Sequence, residues 1–482
     1  MSGVAIGLDV GTSGAKGLAV APDGAVVARA ERAYPLSTPR PGWAEQDPEA
    51  WWRASAAVLD ELQAAAGTPA GIGLSGQMHG LVALDGTDRV LRRAILWNDQ
   101  RTAAECAEIE QRLGFERLVA LTGNRALTGF TAPKLVWLRR HEPEVYARVA
   151  AILLPKDYVR LRLCGEHAGD VTDASGTLLF DVGARAWSTE VCAALEVEEA
   201  WLPTALESPQ VSGTTEAGVP VAAGAGDQAA AALGAGIVAP GGPASVVLGT
   251  SGVVFAALDG YAPDPQARAH TFCHAVPGAW HAMGVALSAA GSLRWLRDVA
   301  APGAEYDALT AEAAAWAPGV EGLTFLPYLA GERTPHADPA ARGSFTGLAL
   351  RHDRGALVRA VLEGVACSLR DCLDVLREVG AAPASGIASG GGARSELWLR
   401  IAATVLELPL ARTAVDEGAA FGAALLGGVA GGLWRDPAEA VAATVRTTEV
   451  IEPEPAWAEA YAALRARYRA LYPALSSIEE PA

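Results

Sequence analysis

The sequence predicts an α/β protein with two related domains, residues 1–238 and 239–482, that face each other across a cleft. Two observations support this fold class. The chain has 482 residues, and this length exceeds the size at which a single core stops growing. Hydrophobic residues make up 51% of the sequence. The tetrapeptide Gly-Thr-Ser-Gly, with an apolar run on each side, occurs at residues 11–14 and again at 249–252. Two copies about half the chain length apart indicate a duplicated domain.

The first copy predicts a β-hairpin with an anion-binding turn. Gly11 and Gly14 allow backbone dihedrals that other residues avoid, so the turn can direct its N–H groups and the Thr12 and Ser13 hydroxyls at one point. Such a concavity suits a phosphate group. The second copy predicts a matching hairpin, and two hairpins facing across a cleft would bind neighbouring phosphates of one nucleotide.

Asp9 stands at the exit of the first strand, which is otherwise apolar. A carboxylate there is costly unless it meets solvent, a donor or a metal ion. Beside an anion-binding turn, Asp9 predicts a Mg²⁺ ion between the carboxylate and a phosphate. The alternative is a glycine-rich hairpin with a solvated aspartate. Lys16 follows the same turn and is one of three lysines among 38 basic residues, which indicates a place that a guanidinium would not fit.

A polar cluster follows the buried strand predicted over Ile72–Ser75. Residues 71–76 match the dinucleotide pattern G-x-G-x-x-G, but no helix follows them, so a Rossmann site is not expected. The strand instead ends at Gln77, Met78 and His79. Polar groups at the end of a buried strand are typical of ligand sites in open α/β sheets. Together with the segment Trp97-Asn98-Asp99, they predict a site that hydrogen-bonds a polyol.

Asp227 follows the apolar strand Val219–Ala225 and precedes an Ala-rich helix. The carboxylate therefore leaves a buried layer at the end of a strand. One interpretation is a base that accepts a proton from a bound hydroxyl. The other is the N-cap of the following helix, because Asp is among the preferred capping residues.

A third glycine-rich turn occupies residues 390–395, between a strand over Gly386–Ser389 and a helix from Glu396. Glycines let the chain approach a flat ligand or an anion closely. If the hairpins bind the phosphates of a nucleotide, this turn is placed to bind its adenosine. The alternative is a tight strand-to-helix turn without a ligand.

The remaining elements follow from periodicity and turn residues. Asp47-Pro48 caps a helix whose apolar residues recur every three or four positions up to Leu62. The segment from His270 to His281, with Cys273 and His274, fits a hairpin better than a zinc site, because its spacing matches no familiar ligand pattern. Residues 170–177 are predicted as a polar loop. Other predicted elements are strands Val4–Val10, Lys16–Ala21 and Ala25–Tyr34 and helices Thr102–Leu113, Pro133–His141 and Leu357–Arg370.

Composition excludes several classes of function. The net charge of −17 argues against nucleic acid or an anionic membrane as a partner, because both require a basic face. The six cysteines are scattered without a disulfide pattern, and no apolar run reaches the roughly 20 residues of a membrane span. We expect a cytoplasmic protein, and whether it forms a homodimer is left open.

An ordered set of motifs resembles the FGGY family of carbohydrate kinases from about Val4 to Tyr472. The motifs are Asp9-Val-Gly-Thr-Ser-Gly14, Gln77-Met-His-Gly80, Trp97-Asn-Asp-Gln-Arg101, Phe130-Thr-Ala-Pro-Lys134, Leu153-Leu-Pro-Lys-Asp-Tyr158, Gly226-Asp227, Leu248-Gly-Thr-Ser-Gly252, Gly331-Glu-Arg-Thr-Pro-His336 and Ser389-Gly-Gly-Gly-Ala-Arg394. The resemblance implies two actin-like, ribonuclease-H-like domains, with ATP and a sugar in the cleft between them.

The resemblance also implies roles for individual residues. It gives Asp227 as the catalytic base and Asp9 as the residue near Mg²⁺. Where the family usually has Asn after the base, this chain has Gln228. The residues implied at the sugar are Met78, His79, Asn98, Asp227 and Gln228. Those implied at the nucleotide are Thr12, Ser13, Lys16, Gly249, Thr250, Gly391, Gly392 and Ser395.

The expected reaction is phosphorylation of a terminal hydroxyl of a ketopentose, D-xylulose, by ATP with Mg²⁺. Phosphoryl transfer needs alignment and charge neutralisation more than covalent chemistry, and the parts above suffice for it. One alternative is a kinase for another ketose or polyol. The other is a nucleotide-gated binding protein of the actin or chaperone kind, which the polar set around His79 disfavours because such a protein needs no sugar pocket.

Overall fold

The structure, a computed structural model, describes residues 3–415 and 417–478. The first half of the chain, up to residue 238, contains strands β1 Ala5–Val10, β2 Gly14–Val20, β3 Val26–Ala33, β4 Glu45–Gln46, β5 Gly71–Gly76, β6 Val82–Leu84, β7 Ala94–Ile95, β8 Ala151–Leu153, β9 Ala168–Asp170, β10 Phe180–Asp181, β11 Ala186–Trp187, β12 Thr204–Leu206, β13 Val211–Thr214, β14 Pro220–Ala222 and β15 Ala225–Gly226. Its helices are α1 Pro48–Ala66, α2 Ala103–Leu113, α3 Phe115–Thr122, α4 Thr131–His141, α5 Pro143–Tyr146, α6 Pro155–Cys164, α7 Val171–Ser175, α8 Thr189–Leu195 and α9 Asp227–Gly234.

The second half contains strands β16 Pro243–Leu248, β17 Gly252–Leu258, β18 His270–Cys273, β19 Trp280–Ala286, β20 Thr324–Leu326, β21 Ser344–Thr346, β22 Ser385–Ser389, β23 Leu410–Thr413 and β24 Thr447–Ile451. Its helices are α10 Ala290–Ala300, α11 Tyr306–Ala314, α12 Arg354–Glu378, α13 Glu396–Leu406, α14 Ala419–Ala430, α15 Pro437–Thr444 and α16 Ala458–Ser476. None of the helices in the described part of the chain has the length and apolar character needed to cross a membrane.

The two halves build their main sheets by the same plan. The first sheet has the order β13-β14-β5-β1-β2-β3, with β15 also paired to β5, and the second has the order β18-β19-β17-β16-β22-β23-β24. In each, two antiparallel pairings lead outward from the first strand of the half, and a parallel strand lies on its other side. This repeat of topology confirms the duplicated α/β fold.

Most elements named from the sequence are present. The three opening strands, the second hairpin β16–β17 and the hairpin β18–β19 all form. Asp47 caps α1 by accepting a hydrogen bond from the backbone N–H of Glu49 at 3.1 Å. The polar loop predicted over residues 170–177 is wrong, since Asp170 ends β9 and the buried helix α7 follows. Its polar side chains are buried, and Asp170 and Asp173 form ion pairs with Lys156, so their polarity does not mark a surface loop.

Helix α14 belongs to the second half by sequence but packs against the first sheet. A Cβ atom added to Gly73 of β5 would lie 1.8 Å from the carbonyl oxygen of Ala423, and one added to Gly7 of β1 would lie 2.0 Å from that of Ala420. Gly422 meets the carbonyl oxygen of Ala230 in α9 equally closely. Only glycine allows this approach of helix to strand. The two halves are therefore joined by direct backbone contact.

Candidate active site

Three strand ends come together at one edge of the first sheet. Strand β5 lies parallel to β1, with Ser75 opposite Asp9, and β15 lies parallel to β5, with Ala225 opposite Ser75. Asp227 is the first residue of α9, two positions beyond Ala225. The register thus brings Asp9 and Asp227, which are more than 200 residues apart in the sequence, to the same edge.

The hairpin turn between β1 and β2 is held by hydrogen bonds to Gln77, which is buried, and to Trp97, which is partly exposed. The backbone N–H of Gly11 donates to the carbonyl of Gly14 at 3.0 Å, which closes the turn. The Thr12 hydroxyl donates to Gln77 at 3.3 Å and accepts from the Trp97 indole N–H at 3.0 Å. Thr12 is therefore fixed in place, whereas the neighbouring Ser13 is exposed to solvent.

Asp9 has the environment of a metal-binding carboxylate. Its Oδ1 atom is buried and has no hydrogen-bond partner among the described residues. Burial raises the pKa of Asp9 to about 6, and the neighbouring Ser75 hydroxyl and Lys16 ammonium act against that rise. An unpaired oxygen on a buried carboxylate is costly without a cation. The residue present therefore fits a divalent ion.

A cation at this edge would be held by few protein atoms. Residues 3–415 and 417–478 contain no group of three or more His, Cys, Asp or Glu side chains arranged to hold a metal. Mg²⁺ commonly binds through one or two carboxylates, with water and substrate phosphates completing its octahedron. Asp9 alone is consistent with that mode of binding.

Asp227 is not the N-cap of α9. That position belongs to Gly226, and no side chain caps the helix, so the capping alternative is wrong. Burial and then the charge of Asp9 raise the pKa of Asp227 to about 7, while the backbone N–H and side chain of Gln228 act in the opposite direction. A pKa near neutrality is what a general base in water needs. The charge of Asp9 therefore acts on Asp227 across the site.

Met78 and His79 line the site beside Asp227. The Met78 side chain packs on Gly226, where an added Cβ would lie 2.8 Å from its sulfur. His79 has a positive φ of 69°, and its Nδ1 lies 2.6 Å from the carbonyl oxygen of Gly176. A carbonyl only accepts, so Nδ1 carries the proton and Nε2 is left as an acceptor. Burial lowers the pKa of His79 to about 3, which keeps the ring neutral.

Two of the three lysines support this site from below. The Lys134 Nζ donates to the carbonyl oxygens of His79 and Gly129 at 2.7 and 2.6 Å, and so holds the strained backbone of His79. The Lys156 Nζ lies 2.7 Å from Asp157, 2.7 Å from Asp170 and 3.0 Å from Asp173. Both ammonium groups are fully buried.

Sequence reasoning missed Thr172, which connects the Lys156 cluster to the site. Its hydroxyl donates to Asp170 Oδ2 at 2.5 Å and accepts from the backbone N–H of Gly226 at 2.9 Å. Gly226 immediately precedes Asp227, so this bond fixes the start of α9. No local sequence pattern could reveal it, because Thr172 lies 54 residues from Gly226.

The segment from Trp97 to Asp99 divides between structural and available groups. Asp99 is completely buried and binds Arg101 and the backbone N–H of Ala44 at 2.7 Å, so it is not available to a ligand. Asn98 keeps a buried Oδ1 without a partner among the described residues. Of this segment, Asn98 has the unsatisfied group that a sugar hydroxyl would complete.

Lys16 and Gln228 lie where the halves meet. The Lys16 Nζ forms an ion pair with Glu417 at 2.6 Å, so the ammonium is engaged with a residue just before α14. Gln228 lines a small cavity of about 50 Å³, together with Ser389, Thr413 and other residues of the second half. Both side chains therefore link the two halves of the chain.

The predicted nucleotide residues of the second half gather around one cavity of about 600 Å³. This volume is within the range of small-molecule and cofactor sites. Gly391 has no atom within 4 Å of an added Cβ, and Ser395 caps α13 by accepting from the Trp398 N–H at 3.3 Å. The cavity is lined, among others, by Gly249, Thr250, Gly291, Arg294, Tyr306, Gly391, Gly392, Arg394, Ser395 and Trp398.

Known proteins share this sequence and arrangement. The xylulose kinase of Escherichia coli K12 is 44% identical over 437 residues, which cover 88% of this chain and 90% of that protein. The crystal structure of a "xyloylose kinase" from Brucella ovis superposes with a TM-score of 0.94 at 46% identity, covering 98% of this chain and all of that one. The xylulose kinase structure from Rhodospirillum rubrum gives a TM-score of 0.93 at 36% identity, covering 98% and 99%.

The match to the family extends over both halves. Residues 4–234 match the N-terminal domain of the FGGY family of carbohydrate kinases, and residues 244–431 match its C-terminal domain. The solved relatives have the two-domain actin-like, ribonuclease-H-like fold, which agrees with the repeated sheets described above. With motifs, topology and sequence in agreement, this chain is a member of the FGGY family of carbohydrate kinases.

Proposed function

We propose that the protein phosphorylates D-xylulose to D-xylulose 5-phosphate with ATP. The observation that carries the proposal is the pair of partly buried carboxylates, Asp9 and Asp227, both with a raised pKa, at the edge where the β1, β5 and β15 strands end. The relatives of 44 and 46% identity are named as kinases of this ketose, which supports D-xylulose as the sugar. A chaperone-like role has no such support.

The proposed reaction uses Asp227 as the base. Asp227 accepts the proton of the sugar 5-hydroxyl as the oxygen attacks the γ-phosphorus of ATP. The new bond joins that oxygen to phosphorus, the bond between phosphorus and the β–γ bridging oxygen breaks, and ADP leaves with the electron pair. A pKa raised to about 7 makes Asp227 a stronger base than an ordinary carboxylate at neutral pH.

Mg²⁺, when bound, would neutralise charge on the phosphate oxygens. Asp9 would hold it through the oxygen that is otherwise unpaired. Its positive charge near Asp227 would offset the charge of Asp9, which raises the pKa of Asp227, and so would favour the ionised form that accepts a proton. The proposal therefore gives Asp9 a second role, because metal binding there prepares Asp227.

We propose that residues 1–238 bind the sugar and residues 239–482 bind most of the nucleotide. Met78, His79 and Asn98 would contact the sugar, and Gln228 would support it from α9. Gly249, Thr250, Gly391, Gly392 and Ser395 would contact ATP from the second half, because they line the 600 Å³ cavity. Thr12, Ser13 and Lys16 would meet its terminal phosphates from the first hairpin. We also propose a cytoplasmic location.

A coupled assay of ADP release across a panel of sugars tests the function. We expect D-xylulose to give the highest kcat/KM, and we expect excess EDTA to abolish turnover. A higher kcat/KM with ribulose, glycerol or gluconate would show that the substrate of the relatives does not apply to this chain. Gel filtration of the same preparation would decide between a monomer and a homodimer.

A further inference from the structure

We propose that Arg333, from the second half of the chain, binds the end of the sugar that is remote from the phosphorylated hydroxyl. This inference rests on the proposed function, because it assigns a residue to the same sugar site. Arg333 lies in the loop after β20, within the motif Gly331-Glu-Arg-Thr-Pro-His336, which the roles above leave without a function.

A chain of directed hydrogen bonds positions the guanidinium. The Asn124 amide nitrogen donates to the carbonyls of Thr122 and Thr271 at 2.8 and 3.3 Å, so its Oδ1 faces His270. That oxygen accepts from His270 Nδ1 at 2.6 Å, which leaves Nε2 of His270 unprotonated. Arg333 Nη1 lies 3.4 Å from this Nε2 and donates to it.

Burial also fixes the orientation of the side chains in this series of hydrogen bonds. Asn124 is 1% exposed and His270 is 7% exposed, so neither side chain is free to turn toward solvent. Burial lowers the pKa of His270, which keeps its ring neutral and its Nε2 able to accept. Asn124 comes from the first half, whereas His270 and Arg333 come from the second.

The guanidinium keeps donors available for a ligand. Among the described residues, Arg333 forms no ion pair, and its bond to His270 is the one side-chain hydrogen bond it makes. Glu332, its neighbour, directs its oxygens at the Leu287 and Arg333 backbone N–H groups and at Ser368 Oγ. None of the nitrogens of Arg333 is a buried atom without a partner, so the remaining donors reach solvent.

A series of contacts that starts beside Asp227 connects the proposed sugar site to Arg333. From Gly226 the contacts lead through Met78 to His79, and the His79 ring is 4.6 Å from that of Phe130. The Phe130 ring in turn is 5.9 Å from the ring of His270, the partner of Arg333. The charge of Arg333 also contributes to the lowered pKa of His79, which agrees with this placement.

The chemistry fits the keto end of a ketose. A guanidinium presents several N–H groups in a rigid fork and has no acceptor. The C1 hydroxyl and C2 carbonyl of a ketopentose offer adjacent acceptor oxygens, three carbons away from the hydroxyl that is phosphorylated. A hydrogen bond from a charged donor contributes about 1.5–3 kcal/mol, or roughly 10- to 150-fold in affinity.

The test compares Arg333→Met with Arg342→Met in the same loop. Within residues 3–415 and 417–478, Arg342 donates to the Pro339 and Ala341 carbonyls and to no other group, so it serves as the matched control. We expect Arg333→Met to raise the KM for D-xylulose about 10- to 100-fold, with kcat, the KM for ATP and the sugar-independent ATPase rate little changed.

The hydrogen bond from Arg333 to His270 has its own test. His270→Phe removes the acceptor of Arg333 and should raise the KM for D-xylulose about tenfold, whereas His270→Gln retains an acceptor and should restore most of the affinity. Melting temperatures show whether each variant is folded. Values of KM within twofold of the parent for both Arg333→Met and Arg333→Lys would overturn the proposal.

The proposed function can fail separately. If the parent enzyme prefers another sugar of the panel, the same ratios are measured with that sugar. If the KM of Arg333→Met for that sugar equals the KM of the parent, Arg333 is rejected as a contact. The sugar with the highest kcat/KM identifies the substrate.

Discussion

The same tetrapeptide, Gly-Thr-Ser-Gly, forms a turn in each half of the chain, but the two turns have different surroundings. In the first half, the Thr12 hydroxyl is bonded to Gln77 and Trp97, and Asp9 lies at the end of the preceding strand. In the second half, Thr250 is exposed and its hydroxyl makes no hydrogen bond within the described residues. It lines the 600 Å³ cavity.

This difference shows that neighbours decide what a turn can do. Both turns join the two strands of an antiparallel hairpin, and the duplication explains why, although none of their four glycines has the positive φ that only glycine adopts readily. The first turn closely follows Asp9 and is hydrogen-bonded to Gln77, which associates it with the reacting end of the proposed site. The second has space beside it, which suits binding without chemistry. The predictions below test this division.

The largest expected effect is at Asp227. Asp227→Ala should lower kcat by about 10²- to 10⁴-fold, the usual contribution of a general base, and should leave the melting temperature within a few degrees of the parent. The reason is that Asp227 does not cap α9. Measuring kcat and melting temperature on one preparation checks both parts. An active variant with a lower melting temperature would show that the first half does not carry the chemistry.

Thr172→Val tests whether the hydrogen bond between Thr172 and Gly226 positions Asp227. The change leaves the backbone N–H of Gly226 buried without an acceptor, a loss of about 1–3 kcal/mol. We expect kcat to fall about tenfold with the KM for ATP unchanged. Thr172→Ser keeps the acceptor and should restore the rate, so equal rates for the two variants would contradict the role.

Matched substitutions in the two turns compare them directly. Thr250→Val should raise the KM for ATP about tenfold and leave stability unchanged, because its hydroxyl serves no internal bond. Thr12→Val should lower the melting temperature, because it breaks two internal hydrogen bonds, and should reduce kcat more than it raises the KM for ATP. Steady-state kinetics and calorimetry measure these quantities for both variants. Equal changes in kcat, in the KM for ATP and in melting temperature would show that the two turns are equivalent.

Asp9→Asn should stabilise the metal-free protein at high pH. The pKa of Asp9 is raised from 3.8 to about 6, so its ionisation weakens the folded state progressively as pH rises from about 4 to 6, and the cost persists above that. In EDTA we expect the variant to melt a few degrees above the parent at pH 8 and at the same temperature near pH 4. Activity with Mg²⁺ should be lost. A lower melting temperature at pH 8 would mean that Asp9 is satisfied without a cation.

The smallest expected effect concerns His79. Its pKa is lowered to about 3, so the ring stays neutral and its Nε2 remains an acceptor throughout the range in which the enzyme is folded. The ring protons of His79 should therefore keep one NMR chemical shift between pH 5.5 and 8. A titration of these protons with a midpoint near pH 6.5 would show that His79 lies outside the buried site.

The sequence predicts those parts of the fold that depend on local pattern. Apolar runs around Gly-Thr-Ser-Gly identify both hairpins, and the strand before Asp227 identifies the carboxylate at its end. The role of Thr172 and the series of hydrogen bonds from Asn124 through His270 to Arg333 could not be predicted. Each depends on groups 54 to 146 residues apart that meet only after folding. Residues 170–177 fail for a related reason, since the burial of Asp170 and Asp173 depends on ion pairs with Lys156, which lies on another helix.

The packing of α14 on the first sheet has a consequence for how the protein is made. During synthesis, β1 and β5 leave the ribosome more than 330 residues before the helix that covers their glycine-lined face. Until that helix is synthesised, the first half exposes the glycine-lined face of its sheet, and this uncovered surface can associate with other chains. We therefore expect residues 1–238 expressed alone to aggregate, and co-expression with residues 239–482 to recover soluble material.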